Sequence, residues 1–186
     1  LKEGDTLYTY YTAVLSDDAP SAPGFSTNMG TLEYTNKQNE IDKTASIILR
    51  EYIFDLNCLV KDESDKAIEG AEFELSKGDT PLYFIQKSCN DGTIEYIVCD
   101  KEHEGASTNI VSGKNGRFKF VGLADNTKYM LKQNKAPNGF SMLKAPMELE
   151  INPTYSEDGA LEGMDSDNNN ISAYPNPYNL EATIIH

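Results

Sequence analysis

The sequence is poor in basic residues, has no tryptophan and contains only three cysteines among its 186 residues. Sixteen Lys and Arg stand against 30 Asp and Glu, and the net charge of -14 repels nucleic-acid phosphates and anionic membrane surfaces. Three cysteines are too few for a disulfide scaffold. No apolar run approaches the ~20 residues that cross a bilayer. We therefore expect a folded, acidic protein with no nucleic-acid partner and no membrane insertion.

Short runs of apolar and aromatic residues at every second position dominate what is present. The chain contains 11 Tyr and 7 Phe, and 39% of it is hydrophobic, which is too rich for a disordered acidic segment. Gly, Asn, Asp and Pro separate the runs at the spacing of a β-sandwich. The sequence therefore predicts an all-β protein, long enough for one large domain or two modest ones.

The first quarter of the chain predicts too few strands for a complete sandwich. We read strands at 6–15, 30–35 and 45–54, with a loop at 17–28. A fuller set of strands begins at Phe54, and period two predicts these inward-facing groups: Phe54/Leu56/Cys58/Val60, Ala71/Phe73/Leu75, Leu82/Phe84, Ile94/Tyr96/Val98, Phe118/Phe120, Tyr129/Leu131/Gln133, Met147/Leu149/Ile151 and Leu180/Ala182/Ile184/His186. Strand continues directly into strand near 41–53, so we expect stacked units with a short connection.

Three dipeptides, Asp91-Gly92, Asn115-Gly116 and Asn138-Gly139, predict turns that need a positive φ. Residues 153–179 carry five acids, no bases and three prolines, which is typical of a long solvated loop. The predicted domains are 1–45 and 46–186, with this acidic loop inside the second.

Two segments resemble a known family. The run IEGAEFELSK at 68–77 and the longer run at 113–151, which contains YMLKQNKAPNGF, resemble the Cna protein B-type domain of Gram-positive surface proteins and sortase-assembled pilins. Residues 4–39 resemble the end of the preceding domain in pilin backbone subunits. The resemblance implies tandem Ig-like or prealbumin-like β-sandwiches, of which the first is represented by its C-terminal part.

Members of this family commonly carry an isopeptide bond between a buried Lys and an Asn, assisted by a neighbouring acid. The Lys must be neutral to attack, so burial has to lower its pKa. The resemblance maps the Lys onto Val60, the acid onto Gln133 and the Asn onto His186. Val60 has no nucleophile and Gln133 cannot exchange a proton, so we expect no bond in the second domain. A competing alignment, with a one-residue deletion after Lys61, restores a Lys but still lacks the acid.

Other residues carry weaker candidate chemistry. Asn36, or alternatively Asn28, could accept a bond in the first domain, and a residue that simply closes a strand is the plainer interpretation. Cys89 and Cys99 are a candidate disulfide that would need an irregular loop. Asp165, Asp167 and Asn169 alternate like calcium ligands, but the glycine and distal glutamate of an EF-hand are missing, so a solvated loop is favoured. No catalytic, nucleotide or zinc motif occurs, and we expect no enzyme activity and no cofactor.

The favoured interpretation is the structural shaft or stalk of a Gram-positive pilus or wall-anchored adhesin, extracellular on the bacterial cell wall. Its partners would be neighbouring pilin subunits or host surface receptors, and sortase would act through segments outside these residues. An alternative is a receptor- or glycan-binding adhesin that uses the 153–179 or 100–113 loop, with Tyr155, Tyr174 and Tyr178 as aromatic anchors. A third is a spacer attached to a secreted enzyme.

Overall fold

The computed structural model describes residues 8, 10, 19–35, 38, 40–44, 46–165, 170–172 and 178–186. All regular elements in these ranges are strands: β1 Ser26–Gly30, β2 Glu33–Thr35, β3 Ile41–Lys43, β4 Ile47–Glu51, β5 Phe54–Lys61, β6 Glu72–Lys77, β7 Thr80–Pro81, β8 Tyr83–Ser88, β9 Ile94–Cys99, β10 Ile110–Val111, β11 Arg117–Leu123, β12 Thr127–Lys135, β13 Met147–Ile151, β14 Pro153–Tyr155, β15 Leu161–Met164 and β16 Leu180–Ile185. Most of the predicted strand at 6–15 lies outside them. No helix in the described ranges is long and apolar enough to cross a membrane.

Two five-stranded sheets form the body of the protein. The front sheet has the order β16-β5-β11-β9-β8, and the back sheet has the order β10-β6-β12-β13 with β7 paired to β6. Within the front sheet, β16 runs parallel to β5 and β11 runs parallel to β9, while the other pairs are antiparallel. The apolar faces of the two sheets enclose one core.

Strand β5 shows most clearly why the sandwich forms. Its side chains alternate strictly between buried and half-buried from Phe54 to Lys61, so the inward set predicted by period two is confirmed. The inward faces of β6, β12 and β16 are also confirmed. Phe73 of the back sheet meets Phe118 of the front sheet with ring centroids 5.7 Å apart, and the aromatic contacts continue to Phe120 and Phe84.

The three predicted Xaa-Gly turns are also confirmed, because Gly92, Gly116 and Gly139 all have positive φ. Gly116 is the most constrained of the three. A Cβ at this position would lie 2.5 Å from the carbonyl oxygen of Val60, and the Gly116 carbonyl accepts the Val60 N–H at 2.9 Å. The turn therefore lies directly against the backbone of β5, where only glycine fits.

The segment from Ser26 to Glu51 forms a separate two-stranded ribbon. Strand β1 pairs with β4 and, further along, β2 pairs with β3, all antiparallel. The predicted loop at 17–28 is wrong at its end, where β1 begins, and the predicted strand at 30–35 is two strands interrupted at 31–32. Ser26, Thr27 and Asn28 are polar, and only their pairing with β4 makes them a strand.

The prediction of a long solvated loop at 153–179 is wrong over its first part. Residues 153–164 form a hairpin of β14 and β15, and Tyr155 and Leu161 pack against the core. Beyond the hairpin, Ile171 is buried and Ser172 exchanges two backbone hydrogen bonds with Glu181 of β16. The acidic composition reflects the outward residues of the hairpin and conceals its few apolar contacts.

The open edge of the back sheet is closed by a side chain from the front sheet. The buried Tyr96 hydroxyl of β9 accepts the N–H of Val111 at 2.7 Å and donates to its carbonyl oxygen at 3.1 Å. Val111 belongs to the edge strand β10. An unpaired edge strand is a template for association with another chain, and Tyr96 occupies the free groups of this residue.

We predict that Tyr96→Phe lowers the free energy of unfolding by about 1–3 kcal/mol, because it leaves the Val111 N–H and carbonyl without their partner in a partly buried position. Urea unfolding followed by circular dichroism measures the change. Tyr83→Phe, on the outer strand of the same hairpin and half-exposed, is the matched control. Equal stability of the two variants would contradict the role assigned to the Tyr96 hydroxyl.

Candidate functional site: the seam between the first and last strands

The first and last strands of the sandwich lie side by side. Strand β16 runs parallel to β5, with Ile184 opposite Val60, and both side chains are fully buried. His186 follows directly after β16 in the same inward phase, and its backbone N–H donates to the Lys61 carbonyl at 2.9 Å. We call the group of Val60, Gln133 and His186 the seam site.

Gln133 enters the seam site from the back sheet. It lies on β12, is 5% exposed, and its Oε1 accepts the N–H of Leu143 at 2.7 Å. That bond orients the amide, so that Nε2 points toward His186 Nε2 at 3.1 Å. Because an amide nitrogen can only donate, His186 Nε2 must accept, which places the imidazole proton on Nδ1. A neutral hydrogen bond therefore links the two sheets.

The His186 ring is also held by an aromatic contact. Phe140 lies edge-on to it, with ring centroids 5.6 Å apart. Gln133 and Phe140 both belong to the YMLKQNKAPNGF segment, so one stretch of chain supplies both contacts to the last residue. The structure thus joins Gln133 and His186 directly and places Val60 on the strand beside His186.

Lys61 lies on the opposite face of β5 from the seam site. Its Nζ forms an ion pair with Asp65 Oδ1 at 2.5 Å, at the protein surface. The hydrogen bond from Lys61 lowers the pKa of the Asp65 carboxyl, with a further contribution from the lysine charge. Lys61 therefore points away from Gln133, and Val60 is the β5 side chain that lies at the seam.

The structure describes only some of the other predicted site residues. Asn36, Asp167 and Asn169 lie outside the described residues. Asn28 pairs with Leu49 in the ribbon, and the backbone N–H of Asp165 donates to Asn152. Among the residues that the structure describes, no three His, Cys, Asp or Glu side chains are grouped to hold a metal ion.

The candidate disulfide between Cys89 and Cys99 is wrong, because all three cysteines are free. Cys89 lies at the turn, where its N–H donates to Thr93, whereas Cys99 is opposite Tyr83 at the far end of the β8–β9 ladder. The two ladder ends are five residues apart, or about 17 Å, and a disulfide needs Cα atoms within about 7 Å. The regular hairpin therefore separates them.

Sequence reasoning missed a second set of contacts, which lies where the ribbon meets the sandwich. Tyr52 and Tyr155 pack with ring centroids 5.6 Å apart, and the Tyr155 hydroxyl donates to Asp125. Burial raises the pKa of Tyr155, and the Asp125 carboxylate raises it further. The available signal was Tyr155 itself, an aromatic residue at the start of a segment that composition alone had assigned to solvent.

The geometry defines a β-sandwich whose terminal strands are neighbours, and comparison with known proteins identifies its class. The family model of the SpaA prealbumin-like fold domain matches residues 56–166. The chain therefore belongs to this family, and the predicted all-β, prealbumin-like fold of the pilin and Cna B-type class is confirmed. No curated protein matches the chain.

Several solved structures are similar to the chain. The C-terminal domain of shaft pilin SpaA from Lactobacillus rhamnosus GG is 24% identical, with a TM-score of 0.43, over 54% of this chain and 90% of that one. The pilus 2b backbone protein of group B streptococcus is 17% identical, with a TM-score of 0.49, over 94% and 50%. BcpA, the major pilin subunit of Bacillus cereus, is 18% identical, with a TM-score of 0.45, over 90% and 39%. The chain thus spans half or less of the last two.

We predict that Gln133→Met lowers the free energy of unfolding by about 1–3 kcal/mol, because the Leu143 N–H and His186 Nε2 both lose their partner while the side-chain volume is kept. Urea unfolding measures the loss. Lys132→Met, an outward position on the same strand, is the control. A Gln133→Met variant as stable as the control would show that the link between the sheets contributes nothing.

We also predict that two thiols, those of the partly exposed Cys89 and Cys99, are accessible in the folded protein and that a third appears only on unfolding. Cys58 is fully buried and burial raises its pKa, so its thiolate is inaccessible in the native state. Ellman titration before and after addition of denaturant counts the thiols, and Cys58→Ser should leave the native count unchanged. No titratable thiol in the native state and a single one after denaturation would indicate that Cys89 and Cys99 are oxidised to each other.

Proposed function

We propose that the chain is a structural module of the shaft or stalk of a Gram-positive pilus or wall-anchored adhesin, without catalytic activity. The observation that carries this proposal is the parallel pairing of β5 with β16. Tension applied to the start of β5 and the end of β16 pulls two parallel neighbours past each other. The hydrogen bonds of the ladder then resist together in shear, which suits a load-bearing element.

The proposed surroundings follow from this role. The chain would be extracellular, on the bacterial cell wall or pilus, with neighbouring pilin subunits as its structural partners. Sortase would act through segments outside these residues. The similar solved structures are described as shaft, backbone and major pilin proteins, which supports the proposal for this chain.

We propose further that the ribbon belongs to a preceding sandwich domain, which moves the predicted division between residues 45 and 46 to the end of β4. The strands of the ribbon carry several exposed large apolar residues, among them Met29, Tyr34, Ile47 and Leu49, which are 44 to 71% exposed. Apolar residues exposed in this way on paired strands are what a second sheet normally covers. Because β4 pairs with β1, the junction of the two units would lie immediately after β4.

The second domain is proposed to fold without the isopeptide bond of its family. Val60 offers no amine, Gln133 offers no acidic proton, and His186 offers no carboxamide. The hydrogen bond between Gln133 and His186 joins the positions proposed for the acid and the Asn, and Val60 takes the position proposed for the Lys. Packing and this neutral pair would hold the seam.

Intact mass spectrometry tests this proposal. We predict that the protein has its sequence mass, with no ammonia lost. The triple variant Val60→Lys, Gln133→Glu, His186→Asn should then lose one ammonia, because the lysine nitrogen bonds to the carboxamide carbon and the amide C–N bond breaks. The matched control keeps Gln133 and changes only Val60→Lys and His186→Asn, which lacks the proton-transferring acid. Loss of ammonia from the unmodified protein would contradict the proposal.

The shaft function itself is tested in cells. We expect that an antibody against this chain detects a ladder of covalent multimers of the parent protein in cell-wall extracts, and that deleting sortase collapses the ladder to one band. A single band in both strains would contradict a polymerising shaft subunit. Binding of the purified chain to glycan arrays and host cells tests the adhesin alternative, for which one proposed anchor, Tyr155, is already used in internal packing.

A further inference from the structure

The ribbon and the sandwich meet at a short segment that is anchored on two sides. The chain enters the ribbon through Ser21 to Phe25 and returns through Arg50 to Phe54. We call these two segments the joint. A ribbon that swung freely would be attached here only by the covalent chain. The structure shows many noncovalent contacts at the joint as well.

On the first side, the entering segment is tied to β5. Ser21 forms a parallel bridge with Ile53, and the Ala22 N–H donates to the Ile53 carbonyl at 2.8 Å. The Ser21 hydroxyl donates to Asp55 Oδ1 at 2.6 Å, while Asp55 Oδ2 forms an ion pair with Lys119 at 2.6 Å. The Asp55 and Lys119 side chains are both only about one quarter exposed. This carboxylate therefore connects the joint to the front sheet.

On the second side, the returning segment is tied to the β14–β15 hairpin through aromatic rings. Phe25, Tyr52 and Tyr155 stack in series, with successive ring centroids 5.6 Å apart. The Tyr52 hydroxyl accepts the N–H of Leu161 at 3.0 Å. Since Tyr155 also donates to Asp125, the series continues from the base of the ribbon into the sandwich.

Arg50 adds a charged contact between the joint and the β14–β15 hairpin. Arg50 lies over the Phe25 ring, 5.6 Å from its centroid, and its guanidinium bonds both the carboxylate and the carbonyl oxygen of Asp158. The hairpin tip is ordered by its own bonds, because the Ser156 N–H donates to the Ala160 carbonyl at 2.9 Å and the Ser156 hydroxyl donates to Asp158. The tip is thus a formed surface that receives Arg50.

We propose that the β14–β15 hairpin is a strut that fixes the direction of the ribbon relative to the sandwich. The ribbon, the joint and the sandwich then move as one body, and bending at the joint requires the aromatic series and the Arg50 contacts to separate together. This inference concerns the isolated chain and does not depend on assembly into a pilus.

Distance distributions between two spin labels test the strut. The labels are placed at Met29→Cys on the ribbon and Lys77→Cys on the back sheet, both exposed, in a background with Cys89→Ser and Cys99→Ser. The parent protein should give one narrow distribution. The double variant Phe25→Ala, Arg50→Ala should broaden the distribution, because both side chains make their contacts at the base of the ribbon. Both residues lie outside the buried core, so the sandwich should still fold. Lys43→Ala, which removes an ion pair at the far end of the ribbon, should leave the distribution narrow.

Hydrogen exchange supplies the second measurement. In the double variant, exchange of the Leu161 and Ala22 amides should accelerate by about 5–30-fold, while the urea midpoint of the sandwich stays within error. Tyr155→Phe, which keeps the ring and removes the bond to Asp125, should give a smaller acceleration in the same direction. Unchanged distance distributions and unchanged exchange in folded variants would overturn the proposal. A broad distribution in the parent protein would overturn it as well.

Discussion

Strand β5 determines most of this structure. It lies between β16 and β11 in the front sheet, and its alternating side chains supply the buried residues that the back sheet covers. A shift of one residue in its register would turn Phe54, Leu56, Cys58 and Val60 toward solvent and bring Asp55, Asn57 and Lys61 into the core. The same alternation places Val60 at the seam site and Lys61 at the surface. The register of β5 therefore determines both the packing of the core and which side chain occupies the seam site.

The seam site holds neutral side chains at the positions onto which the family resemblance maps a lysine, an acid and an asparagine. A buried lysine and a buried acid each carry a desolvation penalty unless they neutralise each other or react. Valine, glutamine and histidine avoid that penalty, and both polar atoms of the buried Gln133 side chain have partners. In the proposed absence of the covalent bond, the site would give up covalent strength and would need no unusual protonation state during folding.

The alternation of inward and outward residues was sufficient to predict the strands of the sandwich, because each of these strands has one buried face. It placed Gln133 and His186 inward, where the structure joins them. It failed in the ribbon, since strands that are exposed on both faces have no buried face to read. It also failed at Tyr155 and Leu161, because two or three apolar residues in an acidic segment carry no periodic signal, and only their tertiary contacts show that they form a hairpin. Cys89 and Cys99 could be separated only once the register of the hairpin was known.

The absence of an amine at Val60 affects how far the polypeptide can be extended under tension. If, as proposed, no covalent bond at this seam joins the first and last strands of the sandwich, residues 54 to 186 can be drawn out completely once the ladder opens. At about 3.3–3.6 Å per extended residue, the released chain would measure roughly 450 Å. A domain stapled across the same strands can release almost none of this length. A filament built from open modules would therefore stretch and dissipate a sudden pull, and each module could recoil by refolding when the load falls.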